Sequence, residues 1–555
     1  MPARMRAFFR VRLMKNSIVV TEIYACFLWG TVLSSVQASS TKERVLMKKI
    51  VLLLALVLSQ QLLPARILHV GSGQPYANLQ QAASNAQAGD TIFVHSGVYQ
   101  GGQYMTNLQG TSSAWITILA ESNTSVIFRG GTEAWHLTDA AYLRIDGFIF
   151  EAQTGNGVNI DDGGSYATPA HHVVMENCEW RAMDATGNND QLKMSGVDSF
   201  VVSKCRFLNG STGGSAIDMV GCHWGVFENN YFENAGSNCI QSKGASQYIR
   251  IERNRFINGG QRALNIGGST DPQFFRPLNA NFEASHIFVY SNIFTGSMAP
   301  IAYVGAVNCE VVNNTIYRPD KWAVRILQET VGPNYLACGN NIFRNNIVFI
   351  SNAAASSTLN IGGNTKPETF VFSNNLWFNV DNVNWQGPNL PVAETNGIIG
   401  SNPLFRNAVS GDFTLLATSP AIGKGMQVQN PVSDFAMSRF NTPRSIGAYE
   451  GNIPTALPNV EQGQPRFQLH PSFPNPVFSS DASAATIRFV IPTAGNVRLT
   501  MYHSSGQKIG TLIDDVLHKG AHAITLRVDE FPSGLYFYRL EMNGMMQMRA
   551  MNILR

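Results

Sequence analysis

Five-residue segments of one kind recur along the middle of the chain: ENCEW at 176–180, SKCRF at 203–207, ENNYF at 228–232, ERNRF at 252–256 and YSNIF at 290–294. Looser copies follow at 312–316, 344–348 and 373–377, so that the central residues lie 22 to 38 residues apart. Inside each repeat, a second short run alternates apolar and polar residues, for example at 192–194, 217–219 and 240–242. Repeats of this length with period-2 alternation predict stacked coils of short β-strands.

These coils predict a right-handed parallel β-helix, because one coil cannot bury its apolar face until its strands pair with those of the next coil. The central residues then form one row, which contains Cys178, Cys205, Asn230, Asn254, Asn292, Asn314, Asn346 and Asn375. Asparagine suits such a corner, since it adopts the left-handed conformation and its amide can bond the next asparagine in the stack. Cys178 and Cys205 are neighbours in this row, where they either fill the corner as buried thiols or form a disulfide.

Composition excludes several classes of protein. The chain has 555 residues, of which 44% are hydrophobic and 14% charged, too apolar for a disordered protein and too long for one small core. The net charge of +3 comes from residues 1–65, and the rest holds 31 basic and 35 acidic residues. A basic nucleic-acid-binding protein is therefore disfavoured, and no nucleic-acid partner is expected.

The N-terminal region has the pattern of an export signal. Met47, Lys48 and Lys49 precede an apolar run over 50–58, and a small residue, Ala65, follows a polar stretch. We interpret 47–65 as a signal peptide and 1–46 as an upstream extension. The apolar run is too short to span a bilayer, and the mature chain is expected to have no transmembrane segment.

Two further segments carry a resemblance to a known class. GDTIFVHSGVY at 89–99, and GSNPLF at 400–405 with IGAYE at 446–450, resemble the first coil and the closing segment of bacterial secreted right-handed β-helix proteins, the pectin-lyase-like superfamily. The resemblance extends over residues 66–452. It implies the fold, but this superfamily contains polysaccharide lyases, hydrolases, epimerases and non-enzymatic surface proteins, so it leaves the activity open.

The sequence pattern of the C-terminal region predicts a separate domain. A proline-rich linker at 453–466 leads into alternating runs at hairpin spacing over 467–555, which predict a small antiparallel β-sandwich. PNP at 474–476, followed by these runs, resembles the sorting domain of the type IX secretion system. That resemblance implies the secretion machinery as a partner and a secreted or outer-membrane location. An immunoglobulin-like domain of cell-wall enzymes is the alternative.

Alternation also predicts which side chains face outward. Aligning the second runs places a polar row on the outside, which contains Asn159, Lys193, Asp218, Gln241, Asn265, Tyr303, Arg325 and Asn360. The positions where these strands begin add Asp190, Asn238, Arg262 and Trp322, and a row two positions on contains Asp161 and Lys243. This strip predicts a groove for an extended polysaccharide.

The strip has the residue types that β-elimination on an acidic glycan requires. Lys193 or Lys243 is the candidate base, Arg262 or Arg325 the candidate partner of the sugar carboxylate, and Asp161 and Asp190 are candidate ligands of Ca²⁺. The remaining candidates contact the sugar: Asp218, Gln241, Asn265, Tyr303 and Trp322. The strand ending Lys243-Gly244 is similar to the Lys-Ser ending of β-helix chondroitin and alginate lyases, but Gly267 stands where those enzymes have arginine.

Other functions remain open on the same residues. Lys193 and Asp218 can form an ion pair between coils, with Tyr303, Trp322 and Asn265 serving a non-catalytic glycan-binding protein. A C5-epimerase would share the proton abstraction. Hydrolysis ranks lower, since Asp218 has no acidic neighbour in its row. His171 and His172 are expected on opposite faces of a strand, which argues against a metal site there.

Overall fold

The computed structural model describes residues 9–14, 17–23, 65–122, 125–355, 357–451, 467–469, 472, 477–478, 484–503, 507–528, 531–532, 534–543 and 545–554. The chain divides into two compact units, Met1–Ile453 and Pro454–Arg555. The predicted linker 453–466, the PNP segment and nearly all of the predicted signal peptide lie outside the described residues. Strands Phe9–Met14 and Ser17–Ile23 pair antiparallel within the predicted upstream extension.

The first unit is the predicted parallel β-helix. Each coil contributes one strand to each of three sheets, so that register partners are one coil apart. Sheet 1 has 14 strands, which are Ile67–Val70, Thr91–Val94, Ile116–Ala120, Ala141–Asp146, Ala170–Glu176, Val197–Asp198, Val201–Ser203, Val226–Glu228, Ser246–Glu252, Ala284–Tyr290, Ala306–Val307, Glu310–Val312, Ile342–Arg344 and Val371–Ser373.

Sheets 2 and 3 complete each coil. Sheet 2 has 12 strands, which are Gly97–Gln100, Val126–Arg129, Ile149–Glu151, Glu179–Arg181, Arg206–Leu208, Tyr231–Glu233, Arg255–Ile257, Ile293–Thr295, Thr315–Tyr317, Ile347–Ile350, Leu376–Asn379 and Ile398–Ile399. Sheet 3 has ten, which are Gln103–Thr106, Trp135–Thr138, Val158–Asp161, Leu192–Ser195, Ser215–Val220, Asn238–Lys243, Arg262–Gly267, Ala299–Val304, Val324–Leu327 and Leu359–Ile361.

Helices are few and short in the described residues. The α-helices are Leu79–Ala83 and Asn352–Ala355, and the 3₁₀ turns are Pro272–Phe274, Pro367–Thr369 and Ala408–Ser410. Asn78 caps the first helix by accepting a hydrogen bond from the Gln81 amide. In the described part of the chain, no helix has both the length and the apolar character needed to cross a membrane.

Stacked side chains hold the coils together. Trp180, Phe207, Phe232, Phe256 and Phe294 are buried and stack on successive coils with centroids 4.5–4.9 Å apart. The predicted asparagine row is confirmed, since each side-chain amide from Asn230 to Asn346 donates to the next asparagine at 2.9–3.1 Å. Glu394 ends this ladder by accepting from the Asn375 amide at 2.6 Å.

One detail of the corner differs from the expectation, and one open alternative is decided. The left-handed residues are those just before the ladder, such as Asn229, Arg253 and Asn313, each with φ near +55°. Asparagine is therefore required in the ladder for the hydrogen bonds of its side-chain amide, and not for its ability to adopt the left-handed conformation. Cys178 and Cys205 are buried free thiols, and burial raises the pKa of Cys205. They fill the corner as buried thiols, which is the first of the two predicted alternatives.

A later segment covers the outside of sheet 2. The antiparallel pair Phe405–Asn407 and Asp412–Leu415 brings Phe413 and Leu415 against Tyr317 and Phe349. Arg444 is 2% exposed and donates to the Asn313 side chain at 3.0 Å. This segment covers sheet 2 from strand Ile293–Thr295 onward, so the outer face of these later strands is not available as a groove. On earlier strands, Val98, Arg129 and Arg206 remain more than half exposed.

The second unit is the predicted small β-sandwich. One sheet contains Gln468–Leu469, Ala484–Ile491 and Gly520–Arg527, and the other contains Val477–Phe478, Gly495–His503, Lys508–Leu517, Gly534–Met542 and Met545–Leu554. Most pairs are antiparallel, while Val477–Phe478 pairs parallel with the last strand. Ile487, Phe489, Leu499 and Tyr538 form its core between the sheets.

Candidate functional site

The polar strip lies on the outer face of sheet 3, where the register aligns its side chains. Tyr104, His136, Asn159, Lys193, Asp218, Gln241, Asn265, Ala302, Arg325 and Asn360 are successive register partners. Adjacent members stand about 4.8 Å apart, the spacing of neighbouring strands. The strip is therefore a straight row across ten coils.

Tyr303 is the exception among the predicted sugar-contacting residues, and its assignment was wrong. It pairs with Ile266 and Ile326, two core residues, and is fully buried. Its hydroxyl donates to the Ile342 carbonyl at 3.2 Å. Ala302 takes the outward position. The strand is apolar on both faces, so its alternation does not show which residues point inward, and only the register does.

A local contact recurs along the strip. In five coils the residue at the strand start contacts the strip residue three positions later. These pairs are Glu133–His136 at 3.0 Å, Asp190–Lys193 at 3.4 Å, Asn238–Gln241 at 3.2 Å, Arg262–Asn265 at 3.1 Å, and Trp322 with the Arg325 guanidinium 4.5 Å from its ring centroid. The strand starts thus fix the orientation of the outward side chains.

The centre of the strip is an ionic network. Asp218 lies between two lysines, with Lys193 on one oxygen and Lys243 at 3.1 Å from the other. Asp190 adds a second carboxylate beside Lys193 and also accepts from the Ser215 amide at 2.8 Å. The side chains of both carboxylates are at most 3% exposed, whereas those of Lys193 and Lys243 are 23% and 16% exposed. The acids lie underneath and the ammonium groups face the solvent.

These contacts make the two candidate bases, Lys193 and Lys243, unequal as proton acceptors. Burial lowers the pKa of Lys193, but the charges of Asp218 and Asp190 outweigh it and raise that pKa above the ordinary value. Burial, reinforced by the Asp218 charge, raises the pKa of Asp190. A lysine held charged by two carboxylates is a poor proton acceptor. Lys243 contacts one carboxylate and is the better candidate for that role.

The two candidate arginines continue the row of cations. Arg262 donates to Asn265 and, at 2.7 Å, to Glu329 from a loop after a later strand. Arg325 donates to Asn360 at 2.9 Å. Burial, with the nearby charge of Arg262, lowers the pKa of Arg325. Trp322 contacts two cations, Arg325 and Lys321, rather than presenting an uncovered ring.

The predicted calcium ligands do not come together. Asp161 pairs in register with Ser195, which lies at the far end of the strand from Asp190. Asp161 binds His136 Nε2 at 2.6 Å and the Gly163 amide at 2.9 Å, while Asp190 is buried beneath Lys193. Within the described ranges, no group of three or more metal-ligating side chains is present. These residues do not fit a Ca²⁺ site.

Sequence reasoning missed the cluster around His136. Both ring nitrogens face carboxylates, with Glu133 at 3.0 Å from Nδ1 and Asp161 at 2.6 Å from Nε2. Alternation in the run WHLT at 135–138 would have placed His136 in the outward row, since the run resembles the later strand starts. Glu329 carried no such signal, because it lies 67 residues from Arg262.

A loop over 268–282 borders the strip beside Lys243. Glu283 anchors it, accepting from the Gly244 and Thr270 amides at 3.0 and 2.8 Å and from the Thr270 hydroxyl at 2.7 Å. Arg276 anchors it again through two 2.7 Å bonds to Asp198, and His223 contacts both residues. The strip is thus bounded on one side by a fixed loop.

His171 and His172 were expected on opposite faces, and this prediction was wrong. Their Nδ1 atoms are 2.9 Å apart, because His172 has φ +54°, which interrupts the alternation. The same left-handed conformation recurs one coil apart at Tyr142, Ser199, Trp224, Tyr248, His286, Asn308 and Asn340. A bend at the start of the sheet 1 strands is therefore part of every one of these coils.

Residues 134–316 match a family model described as the right-handed beta helix region. Among solved structures, the pectate lyase Pel9A is 14% identical with a TM-score of 0.47, over 70% of this chain and 97% of that chain. An alginate lyase from Paenibacillus sp. strain FPU-7 is 18% identical with a TM-score of 0.37, over 60% and 99%. The A-module of the mannuronan C-5 epimerase AlgE6 from Azotobacter vinelandii is 14% identical with a TM-score of 0.34, over 58% and 93%. No curated protein matches the chain.

Proposed function

We propose that this protein processes an acidic polysaccharide bound along the outer face of sheet 3, by β-elimination. The observation that carries the proposal is a group of four cations on four of six consecutive coils of sheet 3, Lys193, Lys243, Arg262 and Arg325, of which the first three have side chains 15–23% exposed. These coils span about 24 Å at the spacing of paired strands. Lys193 and Arg325 lie in the strip row, while Arg262 lies at a strand start and Lys243 at a strand end. A cationic face of that length suits a polymer with repeated carboxylates better than a compact ligand.

Each cation has a role in the reaction. Arg262 lies one coil beyond Lys243 and would bind the sugar carboxylate, so that negative charge developing there is stabilised. Lys243 would take the proton from the carbon next to that carboxylate. A carbon–carbon double bond then forms as the glycosidic oxygen leaves the adjacent carbon with the electron pair of their bond and takes a proton from water or from the ammonium group formed on Lys243. Lys193, held charged by two carboxylates, would bind a neighbouring sugar.

Export supports the same proposal. The predicted signal peptide at 47–65 and the β-sandwich with its resemblance to a type IX sorting domain would place the protein outside the cell, where polysaccharides are found. We propose the secretion machinery as its export partner and the cell surface or medium as its location.

A non-catalytic glycan-binding protein is the second candidate, favoured by one observation. Lys193 and Lys243 share the carboxylate of Asp218, and the pKa of Lys193 is raised rather than lowered. This network holds a cationic surface in place without supplying a base. The strip would then bind the same acidic glycans without cleaving them.

The test is an ultraviolet assay for the unsaturated uronate product, with pectate, alginate, chondroitin and ulvan as substrates, each with and without calcium. We expect product with at least one substrate, and its loss in Lys243→Ala. The matched control is Lys424→Ala, an exposed lysine in the segment that covers sheet 2. Binding without product favours the second candidate. A change in uronate configuration without chain cleavage indicates an epimerase.

A further inference from the structure

Aromatic side chains occupy the bend at the start of sheet 1, outside the strip. On successive coils this position holds Tyr142, His172, Ser199, Trp224, Tyr248 and His286. The left-handed conformation is unfavourable for bulky residues and tolerated by asparagine, which the last two coils use at Asn308 and Asn340. Aromatic rings at this bend are thus a costlier choice than the fold requires.

The rings stack in two groups with a gap between them. His172 stacks on Tyr142 with centroids 4.5 Å apart. Trp224 is nearly parallel to Tyr248 at an interplanar angle of 5°, and Tyr248 stacks on His286 at 4.9 Å. Ser199 separates the groups, so that no ring of its coil stacks between His172 and Trp224. Each of these two rings also meets the preceding histidine edge-on, His171 at 5.1 Å and His223 at 5.4 Å between centroids. Trp224 is 56% exposed.

We propose that this gap, the Ser199 slot, binds one sugar ring of a neutral glycan between His172 and Trp224. Two coil spacings set the rings about 10 Å apart, leaving about 5 Å on each side of an inserted ring. Flat rings on adjacent coils stack at a similar spacing of 4.5–4.9 Å, so the slot has room for one ring. The axial C–H bonds of the sugar would meet the electron-rich faces, and its hydroxyls would reach the Ser199 hydroxyl.

The size and charge of the surface favour a sugar over a protein. A stable protein interface buries about 800 Å² on each partner, and one slot between two rings is far smaller. The nearest ionic groups, Asp198 and Arg276, are buried and bonded to each other. A slot without an unpaired charge of its own suits an uncharged sugar.

Two variants with opposite effects on volume test this inference. Trp224→Ala removes one wall, and Ser199→Phe fills the slot by continuing the ring stack, as Tyr248 does elsewhere. The full chain is run in native gels that contain hydroxyethyl cellulose, laminarin, xyloglucan or galactomannan. We expect retardation by at least one polymer, and roughly tenfold weaker binding in both variants. Phe274→Ala, which removes a ring that is 53% exposed on the loop over 268–282, should bind normally.

The outcomes separate this site from the strip. Retardation that persists in Ser199→Phe overturns the slot, because a filled slot cannot accept a sugar, and so does the absence of retardation by every polymer. Thermal unfolding of both variants checks that they are folded. Cleavage of short acidic oligosaccharides should be unchanged in both variants, so failure of the slot leaves the proposed reaction untouched.

Discussion

Asp218 is the residue on which the centre of the strip depends. It contacts both Lys193 and Lys243, and its side chain is only 3% exposed. Removing this carboxylate would leave two ammonium groups, and a buried ion pair that loses one partner is strongly destabilising. The chemistry of the strip and the stability of these coils therefore rest on one side chain.

We expect Asp218→Asn to lower the free energy of unfolding of the β-helix by about 3 kcal/mol, measured by urea denaturation. Adding Lys243→Met should restore part of the loss, since Asp218 is the carboxylate that Lys243 contacts and the unpaired charge of Lys243 is then removed, whereas Lys193 keeps Asp190. Arg406→Gln, in an exposed pair 3.8 Å from Asp412, is the control and should have little effect. An unchanged urea midpoint for Asp218→Asn would show that the network is not structural.

The residues that sequence reasoning placed well are those with clear alternation. Lys193, Asp218 and Asn265 stand between apolar neighbours in their strands, so their outward direction could be read from the sequence. Tyr303 could not be placed in this way, because every residue of Ala299–Val304 is buried. Glu329 and Glu283 act across long separations in sequence, which local patterns do not encode.

The asparagine ladder is the element that fixes the corner between sheets 1 and 2. Asn292 accepts from the backbone and side chain of Asn254 and donates to Asn314 and the Ile251 carbonyl. Its loss leaves buried partners without hydrogen bonds. The sequence predicted this row because asparagine repeats at each coil, whereas it could not predict the Glu394 cap, whose segment has no repeat.

Asn292→Ala should therefore lower the stability of the β-helix by roughly 2–3 kcal/mol, measured by thermal or urea unfolding. Asn159→Ala is the matched control, since this asparagine lies on the outer face of sheet 3 with two long contacts of 3.5 Å, to Glu133 and His136. Equal effects of the two substitutions would contradict a special role for the ladder.

The loop over 268–282 is the element whose anchor responds to pH. Burial raises the pKa of Asp198, but hydrogen bonds from Arg276 and His223 outweigh it and hold that pKa below its ordinary value of 3.8. On acidification, the Asp198 carboxylate therefore takes up a proton at a higher pH in the unfolded chain than in the folded chain. The stabilisation is present above pH 3.8 and is lost as the pH falls through the lower folded value.

We expect protease cleavage within 268–282 to accelerate as the pH falls below this range, monitored with an acid-stable protease. Asp198→Asn should be cleaved quickly already at neutral pH and should show a flatter pH dependence. Asp434→Asn is the control, because its carboxylate is buried in the segment over sheet 2. Slow cleavage of Asp198→Asn at neutral pH would mean that Glu283 alone anchors the loop.

The whole molecule offers two surfaces of different charge, and salt distinguishes them. Binding of an acidic polysaccharide along sheet 3 depends on exposed cations, so a tenfold rise in ionic strength should weaken it several-fold, because screening shortens the range of charge interactions. Binding of a neutral glycan in the Ser199 slot should change little. Affinity gels at both ionic strengths measure this, and equal salt dependence would contradict the assignment of the two surfaces.

The proposal that Lys243 is the base of a β-elimination is tested most directly by the ultraviolet assay on purified full-length protein, comparing wild type with Lys243→Ala. We predict that wild type generates unsaturated uronate from an acidic polysaccharide and that the variant does not, while both remain folded and bind the polymer. Product formation unaffected by Lys243→Ala, or no binding of any acidic polysaccharide by the wild type, would contradict it.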